Sequence, residues 1–193
     1  MKFIGFYNYT VILTYLSLIS GILGIVFSIQ GKLGLAVIFL AFSGFCDIFD
    51  GLVARTKKNR TADEKNFGIQ IDSLCDVICF GVLPAVFLYS AGLNTPWGIA
   101  IILFYTLCAL IRLAFFNVLE TKRQQKEDGC AKFYRGLPVT SAAIVFPGIY
   151  LIGLFLPDHA FLITYHIIPV VMGFLFIFDF CVPKLDISKL FRK

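Results

Sequence analysis

Four aspartates are set into two otherwise apolar stretches of the chain. Asp47 and Asp50 fall near the end of a run from Leu33 to Val53 that holds no other charge, and Asp72 and Asp76 open an apolar run that continues to Ala91. A carboxylate near the middle of a membrane helix costs about 3 kcal/mol on insertion scales, so four of them demand a compensating partner. Hard carboxylate oxygens pair with hard divalent cations. Four such groups around one cleft are enough for a two-metal site, with ions about 3.5–4 Å apart. The competing use of buried acids in a membrane is a proton or cation pathway, as in a small transporter.

Spacing favours the metal site. At about 100° per residue, a helix carrying Asp47 brings Asp50, Gly51, Ala54 and Arg55 within an arc of roughly 140°. On the next helix Gly68, Asp72 and Asp76 stack at i, i+4 and i+8. Two helices joined by a short loop lie antiparallel and adjacent, so the acidic faces can meet. Gly51, Ala54 and Gly68 leave a groove in which a flat ring or a phosphate can approach the backbone, and Arg55 supplies a planar donor fork suited to phosphate. Metal, groove and arginine together describe a site for a nucleotide diphosphate, where catalysis is mostly charge neutralisation and positioning. A transporter has no evident need for this interleaved Gly, Ala and Arg pattern.

The elements that must carry these residues are membrane helices. With 59% hydrophobic residues, 15% charged residues and a mean hydropathy of +0.86 over 193 residues, the chain is not a soluble domain. Apolar segments of spanning length predict six helices near 10–29, 33–55, 66–91, 96–119, 138–156 and 160–182. Punctuation agrees: Gln30-Gly31-Lys32 is a short turn, Asn94-Thr95-Pro96 places an N-cap before a first-turn proline, and Leu156-Pro157-Asp158 separates the last two spans. Thr61 with Glu64 matches a capping box, which starts the third helix near Ala62. No repeat or separate soluble domain is evident, so residues 1–193 read as one all-α membrane bundle.

Basic residues orient it. Arg55, Lys57, Lys58, Arg60 and Lys65 lie between the second and third spans, Lys122, Arg123, Lys126, Lys132 and Arg135 follow the fourth, and Lys184, Lys189, Arg192 and Lys193 form the tail. In the loops of the opposite side only Lys32 is basic. The positive-inside rule then places both termini and the site in the cytoplasm. The net charge of +5 reports topology and attraction to anionic headgroups, not nucleic-acid binding. The N-terminal apolar segment reads as a retained span, since it lacks a small-residue cleavage site. Cys46, Cys75, Cys79, Cys108, Cys130 and Cys181 lie within spans or on the cytoplasmic side and read as packing thiols, not disulfides.

Written as D47-x2-D50-G51-x2-A54-R55-x12-G68-x3-D72-x3-D76, the constellation resembles the signature of the CDP-alcohol phosphotransferases. The gap after Arg55 is longer than usual for that family, and the extra residues fall in the basic loop, where insertions are tolerated. The stretch Ile71 to Ala85 is similar to the third-helix motif of the phosphatidylserine synthase branch, the CDP-diacylglycerol–serine O-phosphatidyltransferases. Arg112-Leu-Ala-Phe-Phe-Asn117 looks like that branch's RLARFN word and Gly136-Leu-Pro138 like its GLP word. Phe115 stands where the branch often has a second arginine, and Cys79 where it often has serine.

The resemblance implies a six-span fold and transfer of a phosphatidyl group from CDP-diacylglycerol to L-serine. It implies Mg²⁺ or Mn²⁺ on Asp47, Asp50, Asp72 and Asp76, with Asp76 also the general base. Gly51, Ala54, Arg55 and Gly68 take the CDP-binding positions, and a homodimer is implied as well. Serine brings a carboxylate, for which Arg112 and Arg135 are the candidate partners. Glycerol 3-phosphate or an inositol is the alternative acceptor. The size of the chain suits a bacterial plasma membrane.

Overall fold

The structure, a computed structural model, describes residues 5–7, 9–54, 61–125, 133–155 and 157–183. Helices dominate: α1 (Ile12–Ile29), α2 (Leu33–Ala54), α3 (Ala62–Asp76), α4 (Leu83–Ser90), α5 (Pro96–Gln125), α6 (Ala142–Gly153) and α7 (Asp158–Ile177). A π-helical segment, Val77–Val82, joins α3 and α4 into one rod. Among the described residues, four helices are long and apolar enough to cross a membrane: Ile12–Ile29, Leu33–Val53, Ala62–Ser90 and Pro96–Thr121. Where the fifth and sixth spans are expected, the described residues hold shorter apolar helices, Val139–Gly153 and Leu162–Ile177.

Local signals explain the boundaries. Gly31, at φ +73°, reverses the chain between α1 and α2 in the left-handed region that favours glycine. At the start of α3 the Thr61 hydroxyl accepts from the Glu64 N–H (3.2 Å) while the Glu64 carboxylate accepts from the Thr61 N–H (3.1 Å), a complete capping box. Thr95 caps α5 by accepting from the Gly98 N–H at 3.1 Å, with Pro96 in the first turn.

The last span departs from expectation. Its helix stops at Ile177 instead of continuing to residue 182, and Cys181–Pro183 forms a strand, β2, antiparallel to β1 (Phe133–Arg135), with Arg135 opposite Cys181. The chain is therefore an all-α fold that carries one short two-stranded ribbon. The reason lies in the Gly136-Leu-Pro138 word. Gly136 turns at φ +74°, its N–H donates to the Phe180 carbonyl (2.6 Å), and the Leu137 N–H donates to Leu175 (3.1 Å). The Leu175 carbonyl in the last turn of α7 is thus taken by a distant loop in place of a further helical turn.

The π segment also has a readable cause. In α-helical register the Phe80 carbonyl would accept from the N–H of residue 84, which is proline and has none. The Leu83 N–H reaches back to Ile78 instead, and the Tyr105 hydroxyl from α5 donates to the Phe80 oxygen at 2.6 Å. Tyr105 in turn packs edge-on against Phe146 of α6, with centroids 5.7 Å apart, inside a core that also holds Leu40, Leu83, Phe87, Tyr165 and Phe176.

Helix α1 buries a stripe of small and hydroxyl residues, Thr14, Ser17, Ser20, Gly21, Gly24 and Ser28. Small residues let membrane helices approach closely. A Cβ on Gly21 would lie 2.6 Å from the Cys79 sulfur, and one on Gly24 would lie 2.8 Å from Leu83. Across this seam Ser17 donates to the Ser43 carbonyl (3.2 Å), Ser43 donates to the Ser17 carbonyl (3.0 Å), and the Cys79 thiol donates to the same Ser17 oxygen (3.3 Å). Three helices are tied at one level. Cys46, Cys75, Cys79 and Cys108 are buried free thiols.

Candidate active site

One helical turn from that tie, the aspartates meet. Asp47 follows Ser43 by four residues on α2, and Asp76 precedes Cys79 by three on the third rod, so the serine–cysteine tie sets the separation of the two acidic faces. Asp47, Asp50 and Asp72 each present a carboxylate oxygen within 4.8 Å of the others. Asp76 sits one turn farther along α3 and, like Asp50, is 8% exposed. The acidic faces of α2 and α3 come together as their spacing predicts.

A donor set made only of carboxylates, brought this close in a low-dielectric bundle, fits a hard divalent cation. Like charges so placed repel one another unless a cation intervenes. Asp47, Asp50 and Asp72 therefore fit a hard divalent cation by the chemistry of the set and by their convergence, while Asp76 lies one turn beyond that group of three.

The groove positions are less uniform. Gly51 is exposed next to Asp50, and a Cβ built there meets nothing within 4 Å, so the surface beside the carboxylates is open. Gly68 lies one turn before Asp72 on α3 and is half-buried. Ala54 is the last residue of α2. Arg55 lies outside the described residues.

Arg112 is buried on α5, 5% exposed, seven residues after Tyr105 and so on the same inward stripe. Its Nε donates to the Leu137 carbonyl at 3.2 Å, which joins the Arg112 word to the Gly136-Leu-Pro138 word. It also lines a half-open cleft with Ile111, Phe115, Phe176, Phe178 and Asp179. Arg135 closes β1, where the ladder fixes its backbone opposite Cys181. The other end of the arginine word is tied to α3, where the Ser73 hydroxyl donates to Asn117 Oδ1 at 2.7 Å.

Helix α1 supplies a contact that charge and spacing did not reveal: the Thr14 hydroxyl donates to Asp50 Oδ2 at 3.2 Å. An uncharged helix offers no acidic or basic residue to draw attention, and the signal is only its inward stripe of hydroxyls.

The sequence profile of the CDP-alcohol phosphatidyltransferase family matches residues 7–178, nearly the whole chain. The chain belongs to the CDP-alcohol phosphatidyltransferases. Three relatives within the family show how much of the chain is shared. The chain is 38% identical over 145 residues to the archaetidylserine synthase of Methanothermobacter thermautotrophicus, covering 75% of this chain and 58% of that protein. It is 32% identical over 173 residues to the CDP-diacylglycerol–serine O-phosphatidyltransferase of Methanocaldococcus jannaschii, covering 89% and 71%. To the protein of the same name from Mycobacterium leprae it is 35% identical over 133 residues, covering 68% of this chain and 43% of the relative. The matched part thus spans between about two fifths and seven tenths of these relatives' lengths. In this CDP-alcohol phosphatidyltransferase the converging aspartates lie inside the matched region.

Proposed function

We propose that the protein transfers the phosphatidyl group of CDP-diacylglycerol to the hydroxyl of L-serine, giving phosphatidylserine and CMP. The observation that carries this reading is the convergence of Asp47, Asp50 and Asp72 beside the open surface at Gly51. The relatives named for serine support the choice of acceptor.

Asp47, Asp50, Asp72 and Asp76 hold the divalent metal, Mg²⁺ or Mn²⁺, as a two-ion site. When bound, the metal supplies charge neutralisation for the phosphoryl oxygens and for departing CMP. Gly51, Ala54, Gly68 and Arg55 form the bed for the CDP group. Asp76, buried one turn beyond Asp72, takes the proton from the serine hydroxyl as its oxygen bonds to the diacylglycerol-side phosphorus. The bond from that phosphorus to the CMP oxygen breaks, and CMP leaves with the electron pair. Arg112, set inward beside the Gly136-Leu-Pro138 turn, is the first candidate for the serine carboxylate, and Arg135 is the second.

The chain forms one membrane domain of six spans, with both termini and the site on the cytoplasmic side of a bacterial plasma membrane, and works as a homodimer. The two short apolar helices after α5 and the basic residues flanking α2, α3 and α5 support this arrangement. Incubation of the purified protein with CDP-diacylglycerol and isotopically labelled L-serine tests the reaction. Label passing into an organic-soluble lipid is expected. Label remaining wholly aqueous would refute the acceptor.

A further inference from the structure

We propose that Thr14 is a positioning residue for the metal site, its hydroxyl holding the Asp50 carboxylate ready for a divalent cation. The inference rests on the metal reading above and adds a third helix to it. Thr14 is 4% exposed and Asp50 8% exposed, and the 3.2 Å bond from Thr14 Oγ1 to Asp50 Oδ2 crosses from α1 to α2. A helical threonine ordinarily turns its hydroxyl back to a carbonyl of the preceding turn, as Thr106 does to Ile102 at 2.9 Å and Thr121 to Asn117 at 2.9 Å. Thr14 instead reaches one of the three carboxylates that converge.

Simple clamping of α1 to α2 does not explain this contact. Ser17 and Ser43, one turn away, already exchange two hydrogen bonds across the same seam, and Ser20 adds a third to the Phe39 carbonyl at 2.7 Å. A hydroxyl has a single proton, so donating it to Oδ2 fixes one carboxylate oxygen and leaves Asp50 acceptor capacity for a cation. Carboxylates that ligate metals are commonly held in this way, and losing such a partner costs about 10- to 100-fold in metal affinity.

Threonine carries two separable features here, the hydroxyl and the methyl. Thr14→Val keeps the shape and removes the donor, whereas Thr14→Ser keeps the donor and removes the methyl. The experiment titrates Mn²⁺ into purified, detergent-solubilised wild-type, Thr14→Val and Thr14→Ser proteins, and follows the loss of the free-ion electron paramagnetic resonance signal. The melting temperature of each protein is recorded in parallel. The Val variant is expected to bind Mn²⁺ about 10- to 100-fold more weakly and the Ser variant close to wild type. Equal affinity in the Val and wild-type proteins would overturn the assignment. So would equal weakening in both variants tracking a lowered melting temperature, the mark of a packing role. If the Val variant does not fold, Thr14→Ala takes its place under the same criteria. Wild-type protein that takes up no Mn²⁺ would instead overturn the metal reading itself, and the role of Thr14 with it.

Discussion

The Ser73 hydroxyl on α3 donates to the Asn117 side-chain oxygen on α5 at 2.7 Å, and this bond joins two words that lie 44 residues apart in the chain. Ser73 sits between Asp72 and Asp76 in the acidic helix, and Asn117 ends the word that begins with Arg112. The bond holds the helix bearing the aspartates against the helix bearing the candidate acceptor arginine. Ser73→Ala and Asn117→Ala should each lower unfolding free energy by about 0.5–1.5 kcal/mol. The double variant should lose less than the sum, because the shared bond is lost only once. Strict additivity in detergent unfolding would show that the two side chains do not interact.

Tyr105 and Pro84 form a second coupled pair. Because Pro84 removes the N–H that would serve the Phe80 carbonyl, the Tyr105 hydroxyl takes its place. Tyr105→Phe leaves that buried oxygen bare, at a cost of about 1–3 kcal/mol. Adding Pro84→Ala restores a backbone donor, so the Tyr105→Phe penalty should shrink in that background. A penalty unchanged by Pro84→Ala would separate the two residues.

Gly51 offers a test of the groove. Its Cβ position is open and it lies within a helix, so Gly51→Ala should raise stability by up to about 1 kcal/mol. If the CDP group lies over this position, Gly51→Leu should raise the KM for CDP-diacylglycerol while the KM for serine stays fixed. Unchanged donor KM in the Leu variant would move the nucleotide elsewhere.

For Asp76, the general-base role predicts a loss of about 10²- to 10⁴-fold in kcat on replacement by Asn. The variant should remain folded, as judged by its melting temperature. Turnover near the wild-type rate would remove Asp76 from the proton transfer.

The two arginines separate by the substrate they affect. Arg112→Lys keeps the charge and loses the planar fork, so a direct contact with the serine carboxylate predicts a raised serine KM with donor KM unchanged. Arg135→Lys is measured alongside. A serine KM unaffected in both would leave the carboxylate to other partners.

Much of this site was legible because its signals are local. The capping box at Thr61 and Glu64, the Thr95-Pro96 start and the i, i+3 and i, i+4 pairs of aspartate depend on residues within a turn or two of each other. What escaped depends on distant partners. The π segment needs Tyr105 from another helix, the early end of α7 needs the loop at Gly136, and the β1–β2 ribbon pairs Arg135 with Cys181, far along the chain. Thr14 escaped for a different reason: a hydroxyl on an apolar helix looks like packing until its acceptor is seen to be Asp50.

The most direct measurement follows CMP release by the purified protein supplied with CDP-diacylglycerol and, in turn, L-serine, glycerol 3-phosphate and inositol, before and after chelation and with Mn²⁺ or Mg²⁺ restored. The account predicts CMP with serine alone, its loss on chelation and its return with either ion. Failure of every acceptor to release CMP in the presence of metal would contradict it.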